Sequence, residues 1–377
     1  MARRYADFVN VGPATAAGKF LRSFWQPVYV SANLAAGRAV PLRIMDEEFT
    51  LYRGKSGRAV LMAPRCAHRG VLLSIGRIED DCIACLYHGW KYDPTGQCID
   101  QPGEKIGFAA EVKLASHPLR EYHGLIFAYL AGGEPPPFPA LDVLESGGTV
   151  ETYEQRRDFP FFSQVENGAD EVHFFFTHRG SVFDQAGLND AIPEIECEET
   201  DWGIVRYGVR GNLVRTSHVL MPNCSYSSIY YGPDKGWSEH IAWRVPIDRE
   251  THSTFTINRL HKSPAEVEDY RRRQKNAAKD TPPLEPAGIV VDRILRGEIH
   301  VDDIVDRPDA LYIQDAVVMK AQGTAIDRNQ DRLGISDRQV SLLRRLWTRE
   351  LDAIEAGRPL KRWRVPSDLA VTKGVEE

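Results

Sequence analysis

Four prolines fall within residues 135–139, closing the run Gly132-Gly133-Glu134-Pro135-Pro136-Pro137-Phe138-Pro139. Each proline fixes φ and removes a backbone donor, so neither a helix interior nor a central strand can pass through the segment. The run reads as a semi-rigid connector and sets a domain boundary near residue 135. Upstream, short strands predicted at Pro27 to Val30, Val40 to Ile44, Phe49 to Tyr52, Ala59 to Met62 and Leu125 to Leu130 alternate with turns, and Gly54-Lys55-Ser56-Gly57 is a hairpin signal. Downstream the strands lengthen, at Thr149 to Asp158, Ile204 to Arg210, Val214 to Met221, Ser225 to Tyr231, His240 to Pro246 and Ser253 to Leu260. Helices are predicted there over Phe161 to Phe176, Ala265 to Ala278 and Asp337 to Glu355. The expected organisation is α+β: a leading segment 1–24 packed on the second domain, an all-β domain 25–134, and a mixed domain 135–377.

The 377 residues carry 47 Lys and Arg against 53 Asp and Glu, a formal charge of −6. That balance lacks the basic footprint of a nucleic-acid binder, and no window nears the length of apolar sequence a membrane span needs. The opening Met-Ala-Arg-Arg-Tyr-Ala-Asp-Phe has no apolar stretch after its arginines, so a cytoplasmic protein is expected. In a reducing compartment the six cysteines are read as ligands or core residues, and eleven histidines accompany them.

Four of these residues fall in two short motifs, Cys66-Ala67-His68 and Cys85-Leu86-Tyr87-His88, with sixteen residues between them. Each loop brings one thiolate and one imidazole. Two such loops can close on a binuclear centre with both sulfurs on one iron and both nitrogens on the other, the ligand set of a Rieske [2Fe-2S] cluster. Exchanging two thiolates for neutral imidazoles lifts the potential to about −150 to +300 mV, from about −400 mV in plant-type ferredoxins. Gly70 and Gly89, beside the loops, suit a tight backbone. Zinc competes for a Cys2His2 set, and Cys82-Ile83-Ala84-Cys85 offers it a C-x2-C. Zinc spacings usually pair like with like, so the mixed loops favour the cluster and leave Cys82 as a strand residue.

With the continuation Tyr87-His88-Gly89-Trp90-Lys91-Tyr92-Asp93 and Gly96, and the opening Leu21-Arg22-Ser23-Phe24-Trp25-Gln26-Pro27, the sequence resembles the Rieske non-heme iron oxygenases. The likeness is to large (alpha) subunits of the phthalate dioxygenase-like and aryl-ether demethylating group, and it covers nearly the whole chain. It implies a helix-grip (START-like) second domain, with an antiparallel sheet flanked by helices, holding one mononuclear Fe(2+) beside the one [2Fe-2S] cluster per subunit.

The second domain contains Asn167-Gly168-Ala169-Asp170-Glu171-Val172-His173-Phe174-Phe175-Phe176-Thr177-His178. Two histidines and one carboxylate form the facial triad of non-heme Fe(II) oxygenases, which leaves positions open for dioxygen. Histidines five apart are turned by about 140° on an ideal helix, so a distortion or helix end is expected between His173 and His178. Residue type alone does not choose the carboxylate among Asp315, Asp309 and Glu298; the resemblance selects Asp315. A competing reading of Asp315 is a carboxylate at a helix N-terminus. Asp170, three residues before His173, is placed for its carboxylate to accept from that ring's second nitrogen. The resemblance further implies that Asp170 bonds His88 of a neighbouring subunit, hence a homotrimer or stacked trimers, and it places Asn167 in the same catalytic motif.

No G-x-G-x-x-G follows a predicted strand, so NAD is not expected on this chain. The resemblance implies electrons from an NAD(P)H-dependent reductase or ferredoxin, and O2-dependent hydroxylation or oxidative demethylation of an aromatic substrate, with carboxylated and methoxylated rings as candidates. The competing function is a non-catalytic Rieske electron carrier fused to a ligand-binding domain, with no iron beyond the cluster. Phe174 to Phe176, Trp202, Asn223 and Tyr231 are candidate pocket residues. Arg206, Arg210 and Arg215 can clamp a carboxylate, although outward, solvated side chains are expected for them. Arg69, Arg77 and Lys91 are candidates for docking a reductase, and the remaining cysteines and histidines are read as packing or surface residues.

Overall fold

Residues 3–185, 187, 189–232, 236–277, 284–323, 327–365 and 369 are described by the computed structural model. They form two units that change over at Phe138 and Pro139, the end of the proline run. The first unit is Asn10–Phe138 with Val245–Arg249, and the second takes in the residues before Asn10, Pro139–Arg244, and the chain from Glu250. The leading segment is therefore divided, contrary to the expectation of one segment 1–24 on the second domain. Phe8, in the helix Tyr5–Val9, stacks on Phe162 at 4.7 Å and meets Trp347 edge-on at 6.3 Å, all within the second unit. The helix Ala16–Arg22 belongs to the first, where the buried Arg22 donates to the carbonyls of Val11, Gly18 and Met45 and pairs with Glu47 at 3.0 Å.

The first unit holds three small sheets, ordered Gln26–Val30, Leu125–Ala128, Leu119–Tyr122; Arg38–Ile44, Glu47–Arg53, Ala59–Met62, Ser116–His117; and Arg77–Glu79, Cys82–Ala84, Lys91–Tyr92, Cys98–Asp100. The expected hairpin closes with Arg53 opposite Ala59. Tyr52, Met62, Leu73, Ile83, Trp90 and Tyr92 fill the core beneath the two ligand loops.

In the second unit a seven-stranded sheet runs in the order Thr149–Arg157, His252–Leu260, Trp237–Pro246, Cys224–Tyr230, Leu213–Leu220, Gly203–Arg210, Glu194–Glu199. It is antiparallel between the first two strands and through the last five. The α+β expectation holds. The helix Arg338–Glu355 buries Val340, Leu343, Leu346, Trp347 and Leu351 on one face, and Trp347 Nε1 donates to the Pro222 carbonyl at 3.0 Å. The predicted helix Pro264–Ala277 is present; Ala278, its expected end, lies outside the described residues. The strand Glu194–Glu199 and the helices Ala287–Leu295 and Ala310–Ala321 were not expected. Among the described residues no helix is long and apolar enough to cross a membrane.

Candidate metal centres and active site

The two ligand loops of the first unit are built alike. In one, the Cys66 carbonyl accepts from Gly70 N–H at 2.9 Å and Cys66 N–H donates to Val71 O at 2.9 Å; in the other, Cys85 O accepts from Gly89 N–H at 3.0 Å and Cys85 N–H donates to Trp90 O at 2.8 Å. Gly70 and Gly89 sit at φ +72° and +76°, a left-handed conformation that glycine adopts without strain. One loop places its histidine two residues after the cysteine and the other three, yet the backbone closes at the same distance from each cysteine. Cys66 and Cys85 are buried, His68 is half-buried and His88 is exposed.

Like ligands lie together. Cys85 lies near enough to Cys66 to help raise its thiol pKa, and the rings of His68 and His88 are 4.6 Å apart between centroids. Among the described residues, only the trio His173, His178 and Asp315 gathers three metal-competent atoms within 4.8 Å of one another. A tetrahedral zinc ion would draw all four ligand atoms of the loop pair to one point. A sulfur pair apart from a nitrogen pair suits two irons. Burial raises the Cys66 thiol, which also meets the Tyr92 hydroxyl at 3.2 Å, so thiolate formation there calls for a metal's positive charge. Cys82 stands half-buried in its strand, and all six cysteines are free.

The second site is made by a broken helix and a continuous one. The segment predicted as one helix divides into Phe161–Asn167 and His173–Thr177. His173 opens the second piece and His178 follows its last residue, so the two rings escape the divergence a regular helix would impose. Asp315 comes from the middle of Ala310–Ala321, which removes the helix N-terminal reading. Its Oδ1 lies 3.3 Å from His178 Nε2 and 3.8 Å from His173 Nε2, and it also accepts from Asn167 Nδ2 at 3.2 Å.

Both rings are oriented through Nδ1. That of His173 faces the Asp170 backbone carbonyl at 3.0 Å, and that of His178 faces Gln314 Oε1 at 3.0 Å. The expectation that the Asp170 carboxylate orients His173 is corrected: that carboxylate accepts from Val172 N–H at 2.7 Å, because a short side chain after a helix end satisfies the nearest free backbone donor. A carbonyl oxygen only accepts, so Nδ1 carries the proton and each Nε2 keeps its lone pair for a cation. Burial opposes charge on Asp315, but His178, His173 and Arg157 outweigh it and hold the carboxyl at about 2. Burial likewise disfavours charge on both imidazoles; it prevails at His173, whose pKa falls, whereas Asp315 carries that of His178 upward.

The trio opens on a cavity of about 410 Å³ in the same unit, within the range of small-molecule sites. Of the three phenylalanines only Phe174 lines it, with the Arg215 guanidinium 4.6 Å over its ring, while Phe176 is exposed. Tyr231 lines it too; Trp202 and Asn223 do not. Arg206, Arg210 and Arg215 are buried, not solvated as expected. Arg157, Arg244, His240 and Gln314 were missed, and charge on a predicted strand was the one available signal for the two arginines. In the first unit, Lys91 is paired with Glu79 at 2.7 Å, and Arg69 lies 5.5 Å from the Tyr87 ring centre.

Residues 24–118 match the family model of the Rieske [2Fe-2S] domain. The chain is 27% identical to the 5,5'-dehydrodivanillate O-demethylase oxygenase subunit of a Sphingobium species over 396 aligned positions, 99% of this chain and 85% of that protein. It is 27% identical to the phenoxybenzoate dioxygenase alpha subunit of Ectopseudomonas oleovorans, over 92% of this chain and 84% of the other. Among solved structures, the terminal oxygenase of carbazole 1,9a-dioxygenase from Novosphingobium sp. KA1 superposes with a TM-score of 0.65 at 21% identity, covering 91% of this chain and 95% of that one. Dicamba monooxygenase bound to dicamba gives 0.63 at 18% identity, over 90% and 99%. Residues 24–118 are thus a Rieske [2Fe-2S] domain, and the chain is homologous along nearly its full length to alpha subunits of Rieske oxygenases.

Proposed function

We propose that the chain is the terminal oxygenase of a Rieske system in which Cys66, His68, Cys85 and His88 hold the [2Fe-2S] cluster of a domain 25–134, and His173, His178 and Asp315 hold one Fe(2+) in a domain 135–377. The observation that carries the reading is the convergence of two imidazoles and one carboxylate on a ligand-sized cavity, in a chain that also bears an electron-transfer domain. A bound non-heme iron with open positions supplies dioxygen activation. The protein's own part is orientation. The Asp170 carbonyl and Gln314 hold the two rings, Asn167 steadies Asp315, and Phe174 offers an aromatic wall.

Exposed His88 gives electrons an entry from a reductase or ferredoxin, and the carbazole oxygenase structures are named as complexes with ferredoxin. The Asp170 carboxylate keeps Oδ2 for His88 of a second copy, the basis for a homotrimer or stacked trimers. Relatives named for dehydrodivanillate and phenoxybenzoate support an aromatic substrate, and six free cysteines suit the cytoplasm. Purified protein is expected to hold three irons per chain, two in the cluster and one outside, and to consume O2 with an electron donor and substrate. His173→Ala is expected to lose one iron and all substrate-dependent O2 uptake while the reduced cluster keeps its EPR signal. Two irons in the parent protein, with no O2 uptake, would return it to the electron-carrier reading.

A further inference from the structure

The metal trio depends on two helices keeping one spacing. Phe161–Asn167 leads into His173 and His178 and ends on Asn167, whose Nδ2 donates to Asp315 Oδ1 at 3.2 Å; Ala310–Ala321 carries Asp315 itself. A second link between the same helices runs through one guanidinium. Arg328 Nη2 donates to Glu166 Oε2 at 2.7 Å and Nη1 to Ser163 Oγ at 3.3 Å, both on the first helix. Nη1 also donates at 2.5 Å to Oε1 of Gln322, the residue that caps the end of the second. Its Nε goes to Asp331 at 3.0 Å.

The link is sheltered. Arg328 is 8% exposed and Glu166 4%. The Tyr5 ring centre lies 4.6 Å from the guanidinium carbon, and the Tyr5 hydroxyl meets Ser163 Oγ at 2.9 Å. Burial opposes the charge on Arg328, but Glu166 and Asp331 outweigh it and raise the pKa. Ser163 and Glu166, three residues apart, share a helix face. Gln322 follows Asp315 by seven residues, about 20° short of two full turns, so it projects from the same side about 10 Å further along. Two links at different heights fix the angle between the helices, where the Asn167–Asp315 bond alone would let them pivot. A planar fork with several donors at set angles suits such a junction better than a point charge.

We propose that Arg328 is a positioning residue for the mononuclear iron: by joining Ser163 and Glu166 to Gln322 it sets the spacing at which Asp315 meets His173 and His178. It does not line the cavity and acts through the two helices. The brace rests on the oxygenase reading of the trio.

The test is anaerobic equilibrium dialysis against Fe(2+) on the full-length protein carrying its cluster, with the urea midpoint measured beside it. Arg328→Lys keeps a cation for Glu166 and loses the fork that reaches Gln322 at the same time; it should weaken Fe(2+) binding at the third-iron site about tenfold. Gln322→Ala removes one hydrogen bond from an exposed side chain and should weaken Fe(2+) about threefold at an unchanged midpoint. Arg3→Ala is the control. It breaks the pairs with Asp352 and Glu355, bonds to neither helix, and should lower the midpoint at unchanged Fe(2+) affinity. The EPR signal of the reduced cluster should be the same in all. Unchanged affinity in folded Arg328→Lys and Gln322→Ala, or affinity that simply follows the midpoint across the three variants, would overturn the brace. A wild type that binds no third iron would overturn the oxygenase reading and the brace with it, whereas a wild type that binds one, matched by its variants, would overturn the brace alone.

Discussion

Gln314 Oε1 lies 3.0 Å from Nδ1 of His178, and the next residue, Asp315, places Oδ1 3.3 Å from Nε2 of the same ring. Consecutive residues of the helix Ala310–Ala321 thus hold one imidazole by both nitrogens. Loss of the amide would free the ring to rotate and to take the other tautomer. Gln314→Leu is expected to weaken iron binding at the mononuclear site about 10- to 100-fold and to leave the cluster intact. Equilibrium dialysis against Fe(2+), with cluster absorbance as internal standard, measures it; unchanged affinity would remove Gln314 from the site.

Cys82 and Cys85 make the C-x2-C that a zinc or redox reading would use. The structure separates them by role: Cys82 lies in a strand opposite Glu79, while Cys85 turns into the core of the ligand loops. Cys82→Ser is therefore expected to keep full cluster absorbance and EPR amplitude at a stability cost under about 1 kcal/mol. Cys85→Ser should abolish both signals. Cluster loss in Cys82→Ser would show that the loop assignment is wrong.

The candidate cysteines and histidines were legible because residue type and spacing carry coordination chemistry without a fold, whereas Asp315 was singled out only by the family resemblance. C-x-H and C-x2-H differ as strings; a glycine follows each cysteine by four residues, but the bond that each closes to its cysteine carbonyl is visible only in the fold. The angle between His173 and His178 foretold the helix end at His178 but not the break before His173, where the Asp170 carboxylate accepts from Val172 N–H. Burial of Arg206 was unreadable: strand alternation defines two faces without saying which is covered, and in Gly203–Arg210 the first four residues are all buried. The helix carrying Gln314 escaped notice because Leu311, Tyr312, Ile313, Ala316 and Val317 spread around its circumference and leave no clear stripe. The C-terminal helix, with its strict stripe, was visible at once.

Glu171 is the shared counter-ion of Arg210 and Arg215, and all three side chains are nearly inaccessible. Removing the negative charge leaves two buried cations facing each other. Glu171→Gln, close in shape, is expected to destabilise the fold by about 3–5 kcal/mol. Urea unfolding followed by tryptophan fluorescence reads this directly; a loss under about 1 kcal/mol would mean that water already reaches the cluster of charges.

His252 sits fully buried at the start of its strand, with Nδ1 2.8 Å from the Phe159 carbonyl oxygen and Nε2 2.6 Å from Gln164 Oε1. Burial pushes its pKa down to about 3, and Arg157 and Arg244 add to this against the Phe159 contact. The ordinary histidine value is about 6.5. As pH falls below that value the unfolded chain takes up a proton that the folded chain refuses, so stability is complete above pH 6.5 and drains away toward pH 3. Within that window the loss is about 1.4 kcal/mol per pH unit, or about 2 kcal/mol at pH 5. His240, lowered by burial to about 4, adds a second contribution of the same sign. His252→Gln, whose amide offers hydrogen bonds without a proton to gain, should abolish the His252 share. Urea midpoints at pH 7.5 and pH 5 are expected to differ by about 2 kcal/mol more in the wild type than in the variant. An identical pH dependence in the two proteins would mean that His252 takes up its proton in the folded state and that the buried ring is solvated or newly paired when it does.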